Sequence, residues 1–128
     1  VKDLDFGNGK IVVRNGKGRK DRLTTLPNSR RTPLKTHLRF RLALHLKDLE
    51  AGAGHVYLPN RLRYKFRNAS REFVWQFVFA SAVIRDGYRW HCGDSALQKA
   101  VKQAAQKAGI HKRVGCHTLR HRFATHLL

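Results

Sequence analysis

A run of leucines at helical spacing in the first half of the chain constrains the fold most. Leu34, Leu38, Leu42, Leu46 and Leu49 follow one another at intervals of three or four residues, so they lie along one face of an α-helix. Thr32-Pro33 favours a helix start there, because proline is tolerated in the first turn, and Gly52 favours its end. The pattern predicts an amphipathic helix with its leucines toward a core. The outward face would carry Arg39, Arg41 and Lys47.

Two short runs rich in β-branched residues precede this helix, at residues 10–14 and 22–26. The basic, glycine-containing stretch 15–21 between them is typical of the loop of a β-hairpin. Leu4 and Phe6 predict an earlier strand, and Asp86-Gly87 predicts a further turn. Between residues 55 and 79 no period is evident, and aromatic and basic residues alternate there.

Two helices are predicted in the last third of the chain. One covers residues 95–108, with Ser95 as its cap and Gly109 as its stop. Its apolar stripe would be Leu97, Ala100, Val101, Ala104, Ala105 and Ala108. The other begins near His117 and carries Leu119, Phe123 and Leu127 at intervals of four. Together these elements predict a mixed α/β fold, mainly α, in which a small antiparallel hairpin sheet packs on helices.

The charge of the chain restricts the classes of molecule that it is expected to bind. A net charge of +19 indicates a polyanion, either nucleic acid or an anionic membrane. The membrane is disfavoured because no apolar stretch approaches the roughly 20 residues that a span needs. Cys92 and Cys116 form neither a disulfide framework nor a paired metal motif, so we expect free thiols in a reducing cytoplasm. No metal site is predicted, although His91, Cys92, Cys116, His117, His121 and His126 supply possible ligands.

Two strings carry the chemistry: Gly16-Lys17-Gly18-Arg19-Lys20-Asp21-Arg22 and His117-Thr118-Leu119-Arg120-His121-Arg122-Phe123-Ala124-Thr125. His117 and Arg120, three residues apart, share one face of a helical turn. A lysine, a histidine and an arginine acting together suit a phosphodiester, since phosphoryl transfer needs charge stabilisation at the phosphate oxygens. Taken singly, each string has a simpler interpretation, as a solvated basic helix face or an exposed glycine turn.

Both strings and their order resemble the tyrosine site-specific recombinases. The resemblance implies that Lys17 is the general acid that protonates the departing 5′ oxygen, and that His117 and Arg120 contact the non-bridging oxygens. It implies DNA contacts from Lys20, Arg22, Trp75, His91 and His121. It also implies strand exchange through a 3′-phosphotyrosine intermediate, by a tetramer on two DNA sites, without ATP, cofactor or metal.

Residues 55–79 narrow the resemblance to integron integrases, which integrate and excise gene cassettes. Val56-Tyr57-Leu58-Pro59 and the aromatic string 68–79 resemble the extra segment of those enzymes, which helps to hold flipped-out bases of folded single-stranded sites. Interleaved aromatic and basic residues suit base stacking on a single strand. The alternative is that Phe73, Trp75, Phe77 and Phe79 simply face a core.

The chain departs from the family pattern at several points. Arg122 stands where the family usually has a small residue, and residues 82–91 form a shorter loop. A first arginine, a second histidine and the nucleophilic tyrosine are missing. We therefore expect residues 1–128 to be part of a catalytic domain of a bacterial, cytoplasmic enzyme, without the N-terminal DNA-binding domain and the tyrosine segment, and inactive by itself. The alternative is a non-catalytic basic nucleic-acid-binding protein of ribosomal or nucleoid type.

Overall fold

A computed structural model describes residues 1–126 as two compact units, Val1–His91 and a second unit that begins at Cys92. The first unit opens with an antiparallel sheet in the order β1-β2-β3. Its strands are β1 (Leu4–Asp5), β2 (Lys10–Val13) and β3 (Arg22–Thr25). Leu4 pairs with Ile11, and Val13 pairs with Arg22. The predicted early strand and the first hairpin are thus confirmed.

A long helix and an irregular aromatic segment follow. Helix α1 (Asn28–Glu50) is succeeded by the short helix α2 (Asn60–Lys65) and by single 3-10 turns at Ala69–Arg71 and Phe73–Trp75. Strands β4 (Ala80–Arg85) and β5 (Tyr88–His91) then form a second antiparallel hairpin. Its turn is the predicted Asp86-Gly87, and both residues have positive φ, 52° and 79°.

Helix α1 differs from its prediction in its start and in its orientation. It begins four residues before Thr32, so Pro33 lies inside the first turns rather than at the start. The predicted leucine face is wrong in part, since Leu42 and Leu46 are 40% and 53% exposed. The prediction that Arg41 points outward is wrong as well. The buried residues of this helix are Arg41, His45 and Asp48.

Two histidines of α1 face carbonyls of the irregular segment, which need hydrogen-bond donors. Backbone carbonyls outside regular structure must find partners when they are buried. The Nε2 of His45 lies 2.7 Å from the Arg71 carbonyl, and the Nε2 of His37 lies 2.7 Å from the Val78 carbonyl. A carbonyl only accepts, so Nε2 carries the proton in both rings. Helix α1 therefore fixes the aromatic segment through polar contacts.

The apolar core of the first unit is small. Val56, Leu58 and Ala69 are buried together, and Trp75 and Phe77 pack against them. The first unit also contains a buried ion pair: Arg89 on β5 donates from Nε and Nη2 to the two carboxylate oxygens of Asp48, at 2.6 and 2.7 Å. The bidentate pair joins α1 to the second hairpin.

The second unit contains α3 (Asp94–Lys107) and α4 (Cys116–His126). The predicted helices are confirmed to within a residue or two, with Gly109 at φ 69° after the end of α3. Ser95 is not the cap, because α3 already begins at Asp94. In the predicted stripe Ala105 is buried, whereas Leu97 is 57% exposed. Leu127, which we placed on the apolar face of the last helix, lies outside the described residues. The fold class, mixed α/β and mainly α, is confirmed.

Candidate functional site

Lys17 lies on the loop that joins β2 to β3. The loop turns back on itself through two backbone hydrogen bonds, from Gly16 N to Lys20 O at 3.1 Å and from Arg19 N to Gly16 O at 2.8 Å. Asn15, Gly18 and Arg19 all have positive φ, at 51°, 79° and 57°. Such a tight bend of left-handed residues lifts Lys17 away from the strands. Its side chain is exposed and has no hydrogen bond or ion pair within residues 1–126.

The other cations of this loop are also exposed. Lys20 and Arg22, predicted to bind DNA, flank its return into β3, and Arg19 lies between Lys17 and Lys20. Because none of these side chains is buried, the hairpin presents a cluster of positive charge to solvent. Such a cluster favours contact with a phosphate backbone.

In the second unit, His117 lies in the first turn of α4 at the edge of a basic cleft. The cleft has a volume of about 1140 Å³ and is lined by α3, by residues 110–115 and by the start of α4. Its basic lining residues are Lys99, Lys102, His111, Lys112, Arg113 and His117. The charge of the second unit is strongly one-sided, with seven Lys and Arg against one Asp. A cleft with one sign of charge concentrates anions.

Arg120 and His121 follow His117 on α4 and are exposed, as His117 is. The Nε2 atoms of His117 and His121 lie 2.9 Å apart, and the two rings meet edge to face with centroids 4.3 Å apart. One ring therefore donates an N–H hydrogen bond to the other. The structure brings these two predicted residues into contact within one helix. Lys17 belongs to the first unit, and His117 and Arg120 belong to the second.

Trp75 and His91, both predicted to bind DNA, lie in different surroundings. Trp75 is half-buried against the apolar cluster, with its ring centroid 5.5 Å from that of Phe66 and with Lys2 Nζ 4.8 Å away. His91, at the end of β5, is exposed, and its ring meets Phe77 edge to face. The core interpretation of the alternating aromatics therefore holds in part, because Trp75 and Phe77 pack against the apolar cluster whereas Phe79 is 60% exposed.

A more exposed aromatic group lies on the second hairpin and was not predicted as a site. The rings of Tyr57 and Trp90 stack with centroids 5.6 Å apart, and Tyr88 meets Tyr57 edge to face. Tyr57 is 53% exposed and Trp90 37%. A cavity of about 400 Å³ beside them is lined by Tyr57, Tyr88 and Arg63 among others. The sequence signal was the aromatic Trp90 next to His91. Its pairing with Tyr57 depends on a contact between residues distant in sequence.

Residues 1–126 contain neither a metal-ligand cluster nor a helix suited to crossing a membrane. No three or more His, Cys, Asp or Glu side chains in that range are grouped so that they could hold a metal ion. None of the helices described is both long enough and apolar enough to cross a membrane.

The chain thus carries a basic hairpin loop, followed by a helix with His117 and Arg120 one turn apart. The chain belongs to the phage integrase family, which it matches over residues 1–128. It is 44% identical to proteins described as "Integrase/recombinase" from Escherichia coli and from Pseudomonas aeruginosa, over all of this chain and 40% of each relative. It is 30% identical to tyrosine recombinase XerC of Thermodesulfovibrio yellowstonii, over all of this chain and 34% of that protein. The chain thus spans well under half the length of these relatives.

Proposed function

We propose that this chain supplies phosphate-activating residues to an enzyme that cleaves and rejoins DNA strands. The observation that carries the proposal is the placement of Lys17, His117 and Arg120 on exposed basic surfaces of a chain that belongs to the phage integrase family. An exposed lysine on a glycine loop and a helical His–Arg pair are the groups that a phosphodiester needs. Lys20, Arg22, His91 and His121 supply further contacts to DNA. The enzyme acts as a tetramer on two DNA sites in the bacterial cytoplasm.

In the proposed reaction a tyrosine hydroxyl gives its proton to solvent and its oxygen bonds to phosphorus, while the bond from phosphorus to the 5′ oxygen breaks. The Lys17 ammonium gives its proton to that departing oxygen. His117 and Arg120 donate hydrogen bonds to the non-bridging oxygens, where negative charge develops. Arginine suits this position because its planar fork reaches two oxygens, which a lysine ammonium does not do.

The test compares cleavage rates in a full-length recombinase that carries this sequence. Each of Lys17→Ala, His117→Ala and Arg120→Ala should slow single-turnover cleavage by a factor of about 10²–10⁴ and leave DNA binding nearly intact. A substrate with sulfur in place of the bridging 5′ oxygen has a leaving group that needs no proton. With this substrate, the Lys17→Ala variant should regain cleavage, whereas the His117→Ala and Arg120→Ala variants should not. Arg120→Lys should remain severely impaired.

Two results would contradict this assignment. If sulfur rescues Lys17→Ala no better than Arg120→Ala, Lys17 is not the general acid. If all three variants cleave like the unmodified enzyme, the chain is better described as a non-catalytic basic nucleic-acid-binding protein. That alternative still requires binding that weakens steeply with salt, by about 0.9 in log K for each unit of log salt concentration and each phosphate contacted.

We further propose that the substrates are the folded single-stranded sites of gene cassettes, as in integron integrases. The support is the aromatic segment 55–79 together with the exposed rings of Tyr57 and Trp90. Trp75→Ala should weaken binding to a DNA hairpin with extrahelical bases by about 1–3 kcal/mol if the ring stacks on a base. Trp75→Phe is the matched variant, because it keeps an aromatic ring on the apolar cluster. Equal losses on perfect duplex, with a lowered melting temperature, would make Trp75 a core residue only.

A further inference from the structure

Asp21 is the single acidic residue among five cations in the stretch 14–22. Its two carboxylate oxygens face different partners at the base of the Lys17 loop. Oδ1 accepts a hydrogen bond of 2.8 Å from the backbone N–H of Asn15, the first residue of the bend. Oδ2 lies 3.4 Å from Nη1 of Arg14. One side chain thus joins the two ends of the loop.

Arg14 extends this connection to the neighbouring strand. Its Nε donates to Oδ1 of Asp3 at 2.7 Å, next to β1. Burial alone would raise the pKa of Asp3, but the hydrogen bond from Arg14 and the charge of Lys2 bring it below its usual value. Asp3 is therefore charged at neutral pH. The chain of contacts runs from Asp3 through Arg14 and Asp21 to the Asn15 amide, and we name these four residues the loop latch.

The physical need for a latch follows from the conformation and the charge of the loop. Asn15 and Arg19 hold positive φ without being glycine, which costs each some conformational energy. Lys17, Arg19, Lys20 and Arg22 also repel one another across the bend. Both effects favour opening of the loop, and a carboxylate at its base opposes both. Because Arg14 and Asp21 are exposed and Asp3 is only half-buried, the latch contributes little to global stability and acts chiefly on the loop.

We propose that Asp21 and Arg14 are positioning residues for Lys17. They hold the bend closed, so that the Lys17 ammonium spends most of its time where it meets the departing 5′ oxygen. The inference rests on the proposed function, in which Lys17 is the general acid. It assigns a purpose to Asp21 that neither DNA binding nor the charge of the loop explains, since a carboxylate there opposes contact with phosphate.

The first experiment measures single-turnover cleavage by Asp21→Ala in the full-length recombinase, on oxygen and sulfur substrates. We expect the oxygen rate to fall about three- to thirty-fold, less than for Lys17→Ala, because a mobile lysine still reaches the oxygen part of the time. The sulfur substrate should restore the rate, and Lys17→Ala combined with Asp21→Ala should be no slower than Lys17→Ala alone. Asp21→Asn keeps the acceptor for the Asn15 amide and should lie between Asp21→Ala and the unmodified enzyme.

Asp86→Asn is the matched control. It removes one exposed carboxylate from a hairpin turn elsewhere in the first unit. A change in oxygen and sulfur rates for Asp86→Asn equal to that for Asp21→Asn would mean that net charge alone is responsible, and would overturn the proposal.

The second experiment is independent of catalysis and uses the 128-residue chain itself. Asp21→Ala should speed hydrogen exchange of the Asn15 amide several-fold and lower the ¹⁵N order parameters of Gly16 and Gly18. The amides of Gly54 and Arg89, which bond to backbone carbonyls near the second hairpin, should not change. An unchanged loop in Asp21→Ala would overturn the latch.

The two experiments separate the two proposals. If sulfur rescues Lys17→Ala but not Asp21→Ala, the general acid stands and the positioning role of Asp21 is wrong. If the loop loosens but sulfur rescues neither variant, the general-acid assignment fails, and the positioning role fails with it.

Discussion

The hairpins β2–β3 and β4–β5 both reverse the direction of the chain, but one does so through a long loop and the other through a two-residue turn. The second hairpin turns in two residues, Asp86 and Gly87, whose positive φ values match the twist of the strands. The first turns through residues 14–21, with exposed side chains at its base. A two-residue turn has little freedom to rearrange its backbone. The longer loop presents Lys17, at the cost of a conformation that polar contacts must maintain.

The ion pairs that hold the two hairpins in place also differ, in how deeply they are buried. Arg89 of β5 is 5% exposed, forms the bidentate pair with Asp48 and donates from Nη1 to the Ser81 carbonyl at 2.9 Å. Arg14 at the end of β2 forms its ion pairs in an exposed position. Buried pairs are costly to break and exposed pairs are not. Substitutions at the second hairpin should therefore change stability, and substitutions at the first should change the presentation of Lys17.

The largest effect is expected for Asp48→Ala. Removing this carboxylate leaves Arg89 and Arg41 buried together without an anion, and a broken buried pair typically costs about 3–5 kcal/mol. The loss should be visible as a lower midpoint in urea unfolding of the 128-residue chain. Arg14→Met, which breaks the exposed pairs, is the control and should lower the unfolding free energy far less than Asp48→Ala does. Equal losses for both variants would remove the distinction between the anchors.

Arg41 sharpens this comparison because its guanidinium is buried without a hydrogen-bond partner among residues 1–126. It is 3% exposed, and its three guanidinium nitrogens have no hydrogen-bond acceptor within the described part of the chain. Burial and the nearby charge of Arg89 lower the pKa of Arg41. Arg41→Met should therefore be neutral, or should stabilise the 128-residue chain by up to about 2 kcal/mol. A loss of stability as large as that of Asp48→Ala would show that Arg41 has an acceptor after all.

Local sequence patterns were sufficient to predict the positions of most helices, strands and turns. The β-branched runs, the turn at Asp86-Gly87 and the helices that begin at Asp94 and Cys116 lie close to where composition and breakers predict them. Such signals are local, since turn residues set φ and helical periods repeat within one element.

The inward face of α1 could not be predicted in that way. Periodicity assigns the leucines to the core, yet Arg41, His45 and Asp48 are buried instead. The reason lies far along the chain, where the carbonyl of Arg71 needs the proton of His45 and where Arg89 needs the carboxylate of Asp48. These contacts join residues 26 and 41 positions apart.

The candidate site also has parts that local sequence patterns predict and parts that depend on contacts between distant residues. The two strings placed Lys17 on a hairpin loop and His117 and Arg120 on a helix, as the structure has them. Their catalytic roles stay predictions. The exposed stack of Tyr57 on Trp90 could not be read from either residue's neighbours, because it joins a loop to a strand.

A smaller difference in stability is expected between alanine substitutions in the turns of the two hairpins. Gly18 and Gly87 share a φ of 79°, and an added methyl group would meet no atom within 4 Å at either position. Alanine in that conformation costs about 1–2 kcal/mol. Gly87→Ala should lower the free energy of unfolding by this whole amount, because a two-residue turn cannot rearrange. The longer loop can shift, so Gly18→Ala should lower the free energy of unfolding by less than about 1 kcal/mol. Thermal unfolding of both variants is the measurement, and equal shifts in melting temperature would contradict the difference in freedom.

The smallest effect concerns acid. The pKa of Asp3 lies below its usual value because the hydrogen bond from Arg14 and the charge of Lys2 outweigh its burial. A carboxylate whose pKa is depressed in the folded state stabilises the fold above its unfolded pKa of about 3.9, and this stabilisation is lost as pH falls through the folded value. The free energy of unfolding should therefore decline below about pH 4, and Asp3→Asn should reduce that decline by less than about 1 kcal/mol. Asp5, whose pKa is lowered by the backbone and side-chain hydrogen bonds of Asn8, should account for some of the slope that persists. If Asp3→Asn leaves the acid slope unchanged while Asp5→Asn reduces it, the contact between Arg14 and Asp3 is not formed in solution, and the latch of the first hairpin loses its link to β1.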